Sequence, residues 1–99
     1  MPLISQFYGI VITMYFDEKC KHKKPHFHAK YGEYKASYDL TGERLAGELP
    51  PKQHKLVVAW AEIHREELIA LWKTIKETGE YFVIKGLEWL TIKKIPKPI

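Results

Sequence analysis

Polar and apolar positions alternate along the first half of this chain and fall at helical spacing in the second. Residues 7–16 (FYGIVITMYF) are β-branched and aromatic almost throughout, with no capping residue and no helical spacing of polar positions. They predict a first strand covered on both faces and central in its sheet. Residues 25–31 (PHFHAKY) alternate cleanly. As a strand they send His26, His28 and Lys30 to one face and Phe27, Ala29 and Tyr31 to the other. Gly32-Glu33 lies between two alternating runs, as in a tight hairpin. Tyr34 to Leu40 forms the third strand, with Tyr34, Ala36, Tyr38 and Leu40 opposed by Lys35, Ser37 and Asp39. After Thr41-Gly42, Arg44 to Leu49 gives a short fourth.

Pro50-Pro51 changes the period, because proline suits the first helical position. Val57, Trp60, His64, Leu68, Leu71 and Ile75 then fall three and four apart, one stripe of a long amphipathic helix over 51–78. At about 1.5 Å per residue, a helix of about 26 residues is roughly 39 Å long and overhangs a small sheet. Gly79 marks its end. Tyr81–Ile84 and Trp89–Ile92 are two further β-like runs, and Ile95-Pro96-Lys97-Pro98 is extended. The expected architecture is α+β: a four-stranded antiparallel meander, one long helix across one face, and an extended C-terminal tail. With 99 residues the chain fits one domain over 1–99, its core in 4–78 and an extension over 79–99.

Composition sharpens this picture in two places. The net charge of +4 is modest, but residues 19–30 hold five lysines (Lys19, Lys21, Lys23, Lys24 and Lys30) and no carboxylate. Lys93, Lys94 and Lys97 form a second basic stretch. The lone cysteine, Cys20, allows no internal disulfide and fits a reducing cytoplasm. No signal-like segment and no apolar run of membrane-spanning length is present, so no membrane partner is expected.

Two imidazoles beside a basic loop leave three chemistries open: anion binding, metal binding and proton transfer. Cα atoms two apart on a strand are separated by roughly 6.5–7 Å, close enough for His26 and His28 to share one ligand. Cys20, His22, His26 and His28 are four zinc-competent donors within nine residues. Zinc motifs normally split their ligand pairs across a longer spacer, and the surrounding lysines oppose a dication. No metal and no cofactor are therefore expected. Lysines interleaved with His22, His26, Phe27, His28 and Tyr31 suit a phosphate-tracking surface with rings for bases to stack on. His64 in the helix stripe reads first as a core-edge histidine bonded to Glu67, Glu33 or a carbonyl. It is an accessory site residue only if it meets His26 and His28; Tyr31 is a further accessory candidate. No phosphate-cradling glycine loop, serine nucleophile elbow or catalytic carboxylate pair is found.

Several of these residues also carry a family resemblance. Ile4-Ser5-x-Phe7-Tyr8-Gly9-Ile10, Met14-Tyr15-Phe16, Pro25-His26-Phe27-His28-Ala29-x-Tyr31-Gly32-Glu33-Tyr34 and Trp60-Ala61-Glu62-Ile63-His64-Arg65-Glu66-Glu67-Leu68 resemble a small bacterial family of unknown function, DUF4160. The likeness spans residues 2–78. It implies a cytoplasmic regulator or toxin in a two-gene cassette of toxin–antitoxin type, with a cognate partner protein encoded next door. The chain departs from the family pattern at Lys24-Pro25, where a Pro-Pro pair is usual, in a longer basic loop over 18–24, and in the tail after Gly79. Small mRNA-cleaving toxins are similar in outline, an analogy at the level of fold. The leading expectation is a toxin–antitoxin-type component acting on RNA, with His26 and His28 as general acid and base. Lys24 and Lys30 would stabilise charge, and Lys19, Lys21 and Lys23 would bind the nucleic acid. The alternative is a non-enzymatic binding module, antitoxin-like or an adaptor, docking a partner protein or DNA through the basic face. A homo-oligomer fits either.

Overall fold

A computed structural model describes residues 3–16 and 24–87. Five strands, β1 (Leu3–Phe7), β2 (Ile10–Thr13), β3 (His26–Tyr31), β4 (Tyr34–Asp39) and β5 (Arg44–Glu48), are followed by helices α1 (Pro51–Ile63) and α2 (Arg65–Thr78). The strands form one antiparallel sheet in the order β1-β2-β3-β4-β5. The α+β class and the antiparallel meander are as expected from the sequence.

Two features correct the expectation. The sheet has five strands, not four, because residues 7–16 are not one strand. Phe7 pairs with Ile10 across a two-residue turn in which Tyr8 (φ 47°) and Gly9 (φ 78°) both have positive φ. That is the left-handed geometry a type I′ hairpin requires. The apolar run conceals the turn because its first central residue is a tyrosine, which rarely adopts positive φ.

The single long helix is also replaced, by two. His64 leaves helical geometry (φ −108°, ψ 23°) between α1 and α2, with neither proline nor glycine present. The ladder continues on both sides: the His64 N–H donates to the Trp60 carbonyl, and the Leu68 N–H donates to the His64 carbonyl. The buried stripe continues too, through Val57, Trp60 and Ala61 in α1 and Leu68, Leu71, Trp72 and Ile75 in α2. Pro51 opens α1. Gly79 ends α2 in the left-handed conformation (φ 77°), its N–H donating to the Ile75 carbonyl.

Trp60 is the centre of the core. It is fully buried, with Phe7 stacked 5.5 Å from its ring and Phe27 edge-on at 5.5 Å. Its indole N–H donates to the Lys85 carbonyl at 3.0 Å, which ties the segment after α2 onto the core. Ile84 donates its N–H to the Ile4 carbonyl of β1, and a Cβ on Gly86 would meet Gln6 O at 2.7 Å and Phe7 Cβ at 2.9 Å. The core therefore extends beyond residue 78 to include Ile84 and Leu87. Residues 81–84 form no strand; the run 89–92 lies outside the described residues. Among the described residues, no helix is long and apolar enough to cross a membrane.

Candidate functional site

Alternation along β3 fixes the site. Phe27 and Ala29 are buried, and Phe27 stacks on Tyr38 at 5.5 Å under Trp60. Since neighbouring residues on a strand face opposite ways, burying Phe27 and Ala29 turns His26, His28 and Lys30 to the other face. On that face Lys30 and, from β4, Lys35 are exposed, while His26 and His28 are half-buried. Thr13 of β2 and Ser37 of β4 are the Cα partners of His28, so two hydroxyl residues share its row.

The two imidazoles meet edge to face, their centroids 5.0 Å apart. Tyr15, just past β2, stacks on His28 nearly parallel (5.3 Å, 10°) and stands 6.5 Å from His26. Trp72 of α2 lies 5.6 Å from His26 and packs edge-on against Phe16 at 5.7 Å. The second helix thus reaches the histidine cluster at the end of the sheet. His26 Nδ1 stands 2.8 Å from the Lys24 carbonyl oxygen. A carbonyl only accepts, so Nδ1 carries the hydrogen and Nε2 is left for proton exchange. His28 Nε2 is buried with no hydrogen-bond partner among the described residues. Burial first, and then the charge of His26, lowers the His28 imidazole below its ordinary value. Both causes favour the neutral form of His28.

Beside the pair lies an open hollow of about 460 Å³, bordered by Val11, Thr13, His28, Lys30, Lys35 and Ser37, with Ala46 and Gly47 on the β5 side. Lys24 is exposed, and its Nζ lies 3.5 Å from Asp39 Oδ2. Asp39 is buried. Its Oδ1 accepts from the Thr41 N–H (2.8 Å), the Thr41 hydroxyl (2.5 Å) and the Glu43 N–H (3.0 Å), closing the β4–β5 turn. Burial alone raises this carboxyl, but the hydrogen bonds from Thr41 and Glu43, with the Lys24 charge, outweigh it and hold the group below its ordinary value.

The other sequence-derived candidates scatter. Lys19, Lys21 and Lys23 lie outside the described residues, as do Cys20 and His22. His64 does not join the pair: it sits on the helix side, 5.7 Å from Trp60, and its Nδ1–H donates to Glu67 Oε1 at 2.6 Å. Tyr31 is half-buried and packed against the core, close to Gly9. Among the described residues, no three His, Cys, Asp or Glu side chains gather as metal donors.

Sequence reasoning missed four residues, three of them at the site. Lys35 was available from the alternation of β4. Tyr15 and Trp72 enter through tertiary packing, which no local pattern signals. The fourth is His54 of α1, whose Nδ1 lies 2.9 Å from the buried Tyr38 hydroxyl, with the rings stacked at 5.6 Å. Burial raises that hydroxyl and nearby Arg44 partly opposes the shift. This pair is on the helix side, away from the imidazoles.

A family model described as "Domain of unknown function (DUF4160)" matches residues 9–73, more than half of the chain. No curated protein and no solved structure matches.

Proposed function

The chain belongs to the DUF4160 family, and from that premise we propose that it is the RNA-acting component of a toxin–antitoxin-type module, cleaving RNA through His26 and His28 without a metal. The observation that carries this reading is the imidazole pair, 5.0 Å apart, on a sheet face that also bears Lys30 and Lys35. RNA supplies its own nucleophile. Neutral His28, whose Nε2 is buried, takes the proton from a 2′-hydroxyl on its Nδ1 as the 2′-oxygen attacks phosphorus. His26, oriented through Nδ1 by the Lys24 carbonyl, gives a proton to the departing 5′-oxygen. The P–O5′ bond breaks, leaving a 2′,3′-cyclic phosphate and a 5′-hydroxyl. Lysine ammonium groups on the same face offset the charge that builds on the phosphoryl oxygens. The cognate partner protein, from the neighbouring gene, would act by covering this face.

A second reading is favoured by the small, apolar side of the hollow at Val11, Ala46 and Gly47: a binding module that docks a partner protein or DNA and performs no chemistry. One experiment separates the two. Purified protein is incubated with mixed RNA at low salt in EDTA, beside His26→Ala, His28→Ala and the double variant. General acid–base catalysis contributes roughly 10²–10⁴-fold, so each single variant should lose cleavage on that scale while binding RNA nearly as well. Equal degradation by all four proteins, or none by the wild type under saturated binding, removes the catalytic reading.

A further inference from the structure

Lys30 and Lys35 stand directly opposite one another. They are Cα partners across β3 and β4, both are exposed, and both border the hollow. Like charges paired across strands are destabilising. Among the described residues neither lysine has a carboxylate within ion-pair distance, although Glu48 is the Cα partner of Lys35 on β5. A sheet that faces two ammonium groups across its ladder without using the adjacent acid retains a local conflict. Such conflicts concentrate at functional sites.

The neighbouring row explains what would resolve it. Two residues along β3 from Lys30 is His28, at about 6.8 Å for about 3.4 Å per residue. That row also carries the hydroxyls of Thr13 and Ser37, and the hollow spans both rows. This is the reach of one nucleotide step in an extended strand. A phosphate between the lysines would leave sugar hydroxyls beside Thr13 and Ser37, and the next phosphate at the imidazoles.

We propose that Lys30 and Lys35 together form a phosphate-holding subsite one nucleotide from the phosphate served by His26 and His28, so that the chain takes an extended single strand of RNA rather than a duplex. The proposal rests on the RNA reading above and adds to it the register and strandedness of the substrate. In-line attack needs the 2′-oxygen placed opposite the departing 5′-oxygen, an arrangement a stacked A-form helix withholds and a strand held at two successive phosphates can adopt.

The test uses the full chain and its Lys30→Gln/Lys35→Gln variant. The probe is a short single-stranded RNA, made uncleavable by 2′-O-methylation and carrying one neutral methylphosphonate at each position in turn. In the wild type, a methylphosphonate next to the reacting phosphate should weaken binding about tenfold, the scale of one charge-assisted contact. In the double variant the same substitution should change binding less than about twofold, because its partner is already gone. Equal losses in the two proteins overturn the subsite. Equal binding of the single strand and of its matching duplex overturns the single-strand preference.

A second measurement separates failure of the subsite from failure of the RNA reading. Inorganic phosphate is titrated at constant ionic strength while thermal unfolding is followed. The wild type should gain stability by mass action and the double variant should not. Phosphate that stabilises both equally sinks the subsite whatever RNA does. A wild type stabilised through these lysines that neither binds nor cuts RNA keeps the subsite and removes the RNA reading.

Discussion

Asp39→Ala and Asp39→Asn test how the histidine face is held in place. The buried Asp39 carboxylate accepts three hydrogen bonds in the β4–β5 turn. Through Lys24 it also steadies the residue whose carbonyl orients His26. A hydrogen bond to a charged group is worth about 1.5–3 kcal/mol, but freed surface donors regain water. Asp39→Ala should therefore cost about 2–4 kcal/mol in total. Asp39→Asn keeps an acceptor at the turn and loses only the charge. Lys24 is 59% exposed, so the ion pair itself contributes about 0–1 kcal/mol, and Asp39→Asn should cost about 1–2 kcal/mol. For a domain of this size about 1 kcal/mol moves Tm by roughly 4–8 °C, so circular dichroism melts resolve the two variants. The sign with pH follows from the lowered carboxyl. Its contribution is complete above the unfolded value, about 3.9, and is lost as pH falls through the lower folded value. The gap between wild type and Asp39→Asn should close on acidification. Asp39→Asn as damaging as Asp39→Ala, or a gap unchanged from pH 7 to pH 2, would refute the reasoning.

Three further outcomes are expected. Gly86→Ala forces a Cβ against Gln6 O and Phe7 Cβ and should cost about 1–3 kcal/mol, the range for overpacking. Hydrogen exchange should find the Ile84 amide less protected, and unchanged protection argues against docking of the segment on β1. His28 should titrate below about 6.5 by NMR, so folding stability declines as pH falls from about 6.5 through the lower folded value, where only the unfolded chain readily takes the proton; a value at or above 6.5 contradicts the geometry. Trp72→Ala removes the ring beside His26 and Phe16 and should destabilise by about 3–5 kcal/mol, while Trp72→Phe should retain most activity; a Trp72→Phe variant as inactive as the histidine variants would give Trp72 a role beyond packing.

The sequence reveals the sheet best where alternation is strict. In β3 and β4 one face is apolar and the other polar, so Phe27, Ala29, Ala36 and Tyr38 identify the core side and leave His26, His28 and Lys30 outside. Gly32 and Gly79 mark their turn and cap because positive φ is cheap only for glycine. The first hairpin is hidden because Tyr8 occupies a conformation that glycine or asparagine would advertise. The break at His64 is equally silent, since the buried stripe runs through it unchanged. The site is half legible for the same reason. Parity gives its imidazoles and, followed into β4, Lys35. The contacts of Tyr15 and Trp72 depend on how the end of β2 and the second helix meet in space, and no local period encodes that. The same holds for Ile84 and Gly86 on β1.

The central claim is that the imidazole pair performs acid–base chemistry on RNA, and the pH–rate profile of cleavage tests it most directly. Single-turnover cleavage of a single-stranded RNA in EDTA, measured across pH, should follow a bell. It should rise as His28 loses its proton, with the acid limb below the ordinary imidazole value, and fall as the last proton leaves the pair. His28→Ala should lose the acid limb, and the wild-type product should carry a 2′,3′-cyclic phosphate. A flat profile, or one shared unchanged by His26→Ala and His28→Ala, would contradict the account.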